Sequence, residues 1–351
     1  GMGCWAIGGP FWRGDKPVGW GDVDDAESMR AIARALELGV TLFDTSDVYG
    51  CGHSERILGD ALRGRRDQVV IATKFGNVFD EQTRQITDAS GDPAHIRAAC
   101  DASLRRLQTD YIDLLWMHFW DQHTPIDETM RALDDLVRAG KLRYIGFSDT
   151  PAWKCAQAQM LAQFNAWTPL IALQIEYSLA ERTPEADLIP MAREMGMGVT
   201  PWSPLKGGLL TGKYARNKLP AESDAKRINW LEKHLTNEKT LDLLDTLIEV
   251  ATETERAPAE VALAWCRQQA GIGSTIIGAR TLPQLKSNLA SLSLTLSAEH
   301  LARLDSASTP SLPFPHPFLD FCRTTIQNGT TINGITRDVW PLSPKNDNER
   351  W

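Results

Sequence analysis

A chain of 351 residues that is 42% hydrophobic and 23% charged has the make-up of a globular protein, long enough for one closed α/β barrel or two smaller domains. Its formal net charge of -8 argues against an extended nucleic-acid or anionic-membrane surface, and no run approaches the roughly 18 apolar residues of a membrane span. The six cysteines, Cys4, Cys51, Cys100, Cys155, Cys266 and Cys322, show neither a Cys-x-x-Cys pair nor zinc-type spacing with histidine, so reduced thiols in a cytoplasmic protein without a metal site are expected.

Met2 to Ile7 is a short apolar run closed by Gly8-Gly9-Pro10 and reads as a first buried strand, with no basic region that would suggest a signal peptide. Asp24 and Glu27 form a capping box for a helix that carries Met29, Ile32 and Leu36 on one face and stops at Gly39. Val40 to Phe43 is a second strand, ending at Asp44. It leads into Thr45-Ser-Asp-Val-Tyr-Gly-Cys-Gly-His-Ser-Glu55, a turn loosened by Gly50 and Gly52 before a helix through Ile57 and Leu62. Gln68 to Phe75 is the third strand, with Lys74 near its end. Gly76 to Asp92 is a long insertion with no readable role.

The alternation then repeats. Asp92-Pro93 opens a helix, Tyr111 to His118 is a strand, and a helix through Met130, Leu133 and Val137 ends at Gly140. Leu142 to Ser148 is a strand, followed by a helix from Pro151. Leu170 to Glu176 is the next strand, Thr183-Pro184 opens a helix, and Met197 to Trp202 is a strand. Helices from about Thr236 and Pro258, a last strand Thr275 to Ile277, a helix through Leu285 and Leu289, and an outer helix Ser297 to Leu304 complete the count. Eight short apolar strands separated by helices predict an α/β fold, a (β/α)8 TIM barrel spanning residues 1–307. In such a barrel the strand ends, with Asp44, Lys74, His118, Ser148, Glu176 and Trp202, share one face. Residues 308–351, rich in proline, are expected to lack regular structure. Their Phe314, Phe318, Phe321 and Trp340 suggest a tail packed on the barrel.

Asp44, Tyr49, Lys74 and His118 each have a plain reading: Asp44 a turn cap, Tyr49 a rim residue, Lys74 an exposed strand end, His118 a satisfied core histidine. Together they form an acid/base unit. A phenol titrates near 10 and is a poor acid at neutral pH until a cation lowers it, and a lysine held by a carboxylate supplies that field. Tyr49 could then protonate a carbonyl oxygen while His118 donates a second hydrogen bond to it. No side chain supplies a hydride, so this reading calls for a nicotinamide cofactor.

Asp44-x4-Tyr49, Tyr111-Ile-Asp-Leu114 leading to His118, Pro201-Trp-Ser-Pro-Leu205 to Tyr214, and Ile277-Gly-Ala-Arg280 to Asn288 resemble the aldo-keto reductase superfamily, and most of all its aryl-alcohol dehydrogenase-like and potassium-channel β-subunit-like branch. The resemblance covers Met2 to about Leu304. It implies a TIM barrel that binds NADPH without a Rossmann motif, with Asp44, Tyr49, Lys74 and His118 as catalytic tetrad. It further implies Cys4 and Trp5 near the nicotinamide, Ser148, Asp149 and Gln174 at the carboxamide, and Trp202 stacked on the ring. Ser203, Leu205, Gly207 and Lys213 would strap the pyrophosphate, and Gly278, Arg280, Gln284 and Asn288 would hold the adenosine 2'-phosphate and adenine. Asp149 stands where asparagine is usual, leaving only an acceptor there. The chain starts at its first strand, without the family's usual N-terminal β-hairpin.

These expectations amount to an NADPH-dependent reductase of aldehydes or ketones, reversible toward the alcohol. Its substrate is a small carbonyl compound, bulky and apolar if Trp12, Trp20, Phe79, Phe119 and Trp120 line the pocket. No nucleic acid or membrane partner is expected, and an oligomer is allowed. A cofactor-binding regulatory subunit that reports redox state with little turnover is the alternative of a different class. Metal or Schiff-base chemistry at Lys74 is a weaker third, for want of a hard-ligand cluster.

Overall fold

The computed structural model describes residues 1–216, 231, 234–279 and 281–349. Eight parallel strands form its centre: β1 (Met2–Gly3), β4 (Leu42–Asp44), β5 (Val70–Phe75), β8 (Ile112–Met117), β9 (Leu142–Ser148), β10 (Leu170–Glu176), β11 (Gly198–Trp202) and β12 (Ile277–Gly278). Their spatial order is β11-β10-β9-β8-β5-β4-β1-β12. β11 and the segment before β12 close the ring through single bonds: Val199 N–H donates to Gly271 O at 3.0 Å, Gly273 N–H to Val199 O at 2.8 Å, and Ile276 N–H to Pro201 O at 3.0 Å. The fold is the expected (β/α)8 barrel, nearly closed. Only the first strand is much shorter than the sequence suggests, because Trp5–Ile7 coils into a 3-10 turn.

Among the described residues, the helices between and after the barrel strands are α1 (Asp25–Glu37), α2 (His53–Ala61), α3 (Pro93–Leu107), α4 (Ile126–Arg138), α5 (Ala152–Asn165), α6 (Leu188–Glu194), α7 (Glu238–Glu253), α8 (Pro258–Gln268), α9 (Leu282–Ala290) and α10 (Ala298–Ser308). Local chemistry fixes their starts. Asp24 Oδ1 accepts from Glu27 N–H at 3.1 Å, and Asp92 caps both Ala94 and His95 N–H ahead of the first-turn Pro93. Thr183-Pro184 gives a 3-10 turn, and the helix proper begins at Leu188.

One core lies between barrel and helices. A second cluster, Ala72, Leu114, Trp116 and Ala172, fills the barrel. Trp116 is accommodated there because residue 146 lacks a side chain: a Cβ on Gly146 would meet the indole at 2.5 Å.

The insertion at 76–92 is a β-hairpin, β6 (Asn77–Asp80) and β7 (Gln85–Ala89). β7 pairs in parallel with β2 (Trp12–Arg13), which pairs with β3 (Lys16–Pro17). A four-stranded accessory sheet thus grows from the loops after the first and third barrel strands. Residues 1–309 form one compact unit and residues 310–351 a second. The second is not irregular, as its prolines suggest. It holds α11 (His316–Thr325) and a small hairpin of β13 (Thr331–Ile332) and β14 (Ile335–Thr336). Prolines 313, 315 and 317 lie before or within the first turn of α11, where a missing N–H costs nothing. Among the described residues no helix is long and apolar enough to cross a membrane.

Candidate active site

β4 delivers Asp44 to the carboxyl end of the barrel, and the chain turns outward before α2. Gly50 (φ 62°) makes this turn against the loop after β1: a Cβ there would sit 1.8 Å from Gly8 O. Only glycine allows that backbone approach, which hangs Tyr49 over the barrel mouth.

Lys74, at the end of β5 and 1% exposed, spends its three ammonium protons on three acceptors: Asp44 Oδ1 at 2.6 Å, Thr45 O at 2.8 Å and Tyr49 Oη at 3.2 Å. Because the phenol oxygen accepts from Lys74, the phenol's own proton is free to point elsewhere. Asp44 Oδ2 accepts from Trp116 Nε1 at 3.1 Å and Gln174 Nε2 at 2.7 Å, so both carboxylate oxygens are held. The His118 ring stands edge-on to Tyr49, with centroids 6.0 Å apart.

Burial works against the Lys74 ammonium, but Asp44 and Tyr49 outweigh it and hold its pKa above the usual lysine value. Burial raises the Tyr49 phenol, and Lys74 opposes that rise without cancelling it. The expected lowering of the phenol is therefore only one of two opposed effects, and in the protein alone the net shift is upward. Tyr49 rests protonated. Burial first, then Lys74, keeps His118 well below the ordinary histidine value, as a neutral imidazole.

A second layer lies behind these groups. His118 Nδ1 is 3.3 Å from both Ser46 Oγ and Asn77 Nδ2. Ser46 Oγ also contacts Asp47 Oδ1 at 3.0 Å. Nearby, fully buried Glu55 accepts from Thr73 Oγ1 and Arg106 Nε, each at 2.6 Å. Arg106 reaches on to Glu81 of the β6–β7 turn at 2.9 Å, where Arg56 also pairs, so the accessory hairpin is clamped to the barrel helices.

Aromatic side chains wall the mouth. Trp5 lies 6.3 Å from Tyr49 at an interplanar angle of 29° and edge-on to Trp20, and Phe79 joins the cluster of Phe11, Val48 and Cys51 that supports Tyr49. Phe119 is 6.0 Å from His118. Trp120 instead packs edge-on against Trp153 of α5, and Trp12 is a strand residue of the accessory sheet.

The residues expected around a cofactor fall on the same end of the barrel. Cys4 is wholly buried, and burial pushes its thiol far up, so it is inert. Ser148 ends β9 in register with Gln174. Gln174 turns its amide nitrogen onto Asp44, a bond the sequence did not reveal. Asp149 (φ 41°) accepts from Trp202 Nε1 at 2.9 Å. Solvent reaches Asp149, yet the surrounding walls strip enough water to push its carboxyl up to about 6. Ser203 (φ 51°), Lys206 (φ 45°), Gly207 (φ 62°) and Gly208 (φ 101°) are all left-handed, and Leu205 lies among them. Lys206 is committed to Glu176 Oε1 at 2.8 Å, whereas Lys213 is exposed. Asn288 is buried and donates to Gly278 O at 3.1 Å, and Gln284 is exposed in the first turn of α9. Arg280 lies outside the described residues.

This donor set fits a dinucleotide. The α9 N-terminus brings a positive dipole end beside Gly278, where a Cβ would meet only open space, which suits an anionic group of the cofactor. A partly buried indole at the end of β11 offers a face for a flat ring.

Comparison with known proteins identifies the family. A sequence profile described as the Aldo/keto reductase family matches residues 1–309. The oxidoreductase YrpG of Bacillus subtilis is 38% identical over 293 residues, covering 81% of this chain and 87% of the relative. Norsolorinic acid reductase of Aspergillus flavus is 33% identical over 338 residues, covering 95% of this chain and 84% of the relative. Among solved structures, a glycerol dehydrogenase from Gluconobacter oxydans superposes with a TM-score of 0.75 at 32% identity, covering 90% of this chain and 93% of the other.

Proposed function

The chain belongs to the aldo/keto reductase family of oxidoreductases, and from that premise we propose that it reduces an aldehyde or ketone to the alcohol with NADPH, reversibly. The observation that carries this reading is the row Asp44–Lys74–Tyr49, closed by hydrogen bonds of 2.6 and 3.2 Å, with His118 edge-on beside the phenol.

Tyr49 is the general acid: its proton passes from Oη to the carbonyl oxygen as that oxygen gains charge. Lys74 stabilises the phenolate left behind, which the phenol could not become unaided in so dry a site. Asp44 keeps Lys74 charged and aimed, and Trp116 and Gln174 keep Asp44 from turning. His118 donates a second hydrogen bond to the carbonyl oxygen, as an oxyanion hole does. A bound nicotinamide supplies the hydride. Trp202, Ser148, Asp149 and Gln174 would hold its ring end beside Cys4 and Trp5. Ser203, Leu205, Gly207 and Lys213 would hold the pyrophosphate, and Gly278, Arg280, Gln284 and Asn288 the adenosine end. Arg280, which the family resemblance assigns to the adenosine 2'-phosphate, is the basis for naming NADPH over NADH.

The aromatic walls Trp5, Trp20, Phe79 and Phe119 favour a bulky apolar carbonyl. The relatives are named for different compounds, norsolorinic acid and glycerol, so kinship alone does not choose the substrate. The test is consumption of NADPH, with NADH in parallel, against aromatic and aliphatic aldehydes. Turnover with aromatic carbonyls and NADPH is expected; tight NADPH binding without turnover on any carbonyl would point to a regulatory subunit instead.

A further inference from the structure

Asp47 is 1% exposed, yet among the described residues no cation is bonded to it, the nearby Arg106 being paired with Glu55. Its Oδ1 meets Ser46 Oγ at 3.0 Å, and the same hydroxyl lies 3.3 Å from His118 Nδ1. A carboxyl, a hydroxyl and an imidazole thus form an unbroken file from the interior to the barrel mouth. The groups facing Asp47 are Glu55 from α2, Arg106 from α3 and Cys51 from its own loop; those facing His118 are Lys74 from β5, Tyr49 and Asn77.

We propose that Asp47 is a positioning residue for His118, acting through Ser46 to fix which ring nitrogen carries the proton. This rests on the reductase reading for its consequence, though not for its geometry. A hydroxyl has one proton to give. When Asp47 is a neutral acid it donates to Ser46 Oγ, and Ser46 gives its own proton to His118 Nδ1. The Asn77 amide nitrogen, which can only donate, also points at Nδ1. Nδ1 is then an acceptor and Nε2 carries the hydrogen, the form needed to donate to a substrate oxygen. When Asp47 ionises, it releases its proton to solvent and captures the Ser46 hydroxyl. The imidazole moves its proton from Nε2 to Nδ1, which donates to the freed Ser46 oxygen, and the Asn77 amide turns over so that its oxygen, not its nitrogen, faces Nδ1. The ring stays neutral throughout, and the file reverses direction. Burial, together with the neighbouring Glu55 carboxylate, pushes the Asp47 carboxyl up to about 8 against the pull of Arg106. The donating form is therefore the one held at neutral pH.

Asp47→Asn keeps a donor beside Ser46 at every pH, and Ser46→Ala removes the link. In the wild type, 15N spectra of His118 are expected to show an unprotonated Nδ1 near neutrality and exchange of the two nitrogens' shifts on passing about pH 8. In both variants the neutral-pH pattern is expected to persist through the same range. kcat/KM for carbonyl reduction is expected to fall roughly tenfold between about pH 7 and pH 9 in the wild type and to stay level in Asp47→Asn. An Nδ1 that carries the proton at neutral pH, or a reversal that survives in a folded Asp47→Asn or Ser46→Ala protein, would overturn the relay. The spectra read the tautomer without turnover. Absence of activity with a normal reversal would thus count against the reductase reading alone.

Discussion

At the scale of single residues, the site is a buried ion pair made useful. Lys74 and Asp44 are 1% and 3% exposed, and such a pair is kept only if every lone pair and proton is satisfied. Here Thr45 O, Tyr49 Oη, Trp116 Nε1 and Gln174 Nε2 do so. Lys74→Met strands Asp44 without its cation. We expect it to cost about 3–5 kcal/mol of stability and to abolish reduction, read by thermal melting beside the assay. Asp149 makes a pH prediction. Its carboxyl, at about 6 in the folded protein against an ordinary aspartate near 4, holds the proton better folded than unfolded. Its contribution to stability is present below about 4 and lost as pH rises through about 6. Asp149→Asn should flatten any pH dependence of NADPH affinity across pH 5 to 7, measured by fluorescence titration; an unchanged profile would remove Asp149 from the cofactor site. Tyr49, Lys74, Asp44 and His118 were legible in the sequence because each ends a recognisable strand or follows one at short range. Trp116 and Gln174 as Asp44's partners were not, since that contact spans 72 and 130 residues. Their one hint was alternation: Trp116 lies two residues before His118, on the same side of the strand.

At the scale of elements, the eight barrel strands stand out as short apolar or β-branched runs, because parallel strands are buried on both faces. The accessory hairpin does not. Asn77–Asp80 and Gln85–Ala89 carry polar residues at most positions, a register shift interrupts their pairing, and the turn between them lacks an Asn-Gly or Asp-Gly signal. Its place is set by tertiary contacts: pairing with β2, the Phe79 and Ile86 side chains, and Glu81 between Arg56 and Arg106. Glu81 is 42% exposed, so solvent screening leaves its ion pairs worth roughly 0–1 kcal/mol. Glu81→Ala should therefore leave the melting temperature nearly unchanged while speeding tryptic cleavage at Arg84, at the hairpin's tip. A hairpin no more accessible in the variant would show that apolar packing alone anchors it.

At the scale of the whole molecule, the barrel lets residues far apart in sequence share one rim, since each strand delivers its carboxyl end to the same face. Every described residue of the main apolar core cluster lies within residues 1–309. A chain ending at Thr309 should accordingly unfold in one cooperative transition at a melting temperature close to that of the full chain; loss of cooperativity would show that the second unit is needed for folding. Carbonyl reduction at this rim depends on one proton. The most direct test is single-turnover reduction of an aromatic aldehyde by Tyr49→Phe, with NADPH affinity measured on the same sample. If Tyr49 is the acid, the chemical step slows by about 10²–10⁴ while NADPH binds as in the wild type. A rate within a few-fold of wild type would contradict that role and place the proton donor elsewhere in the barrel mouth.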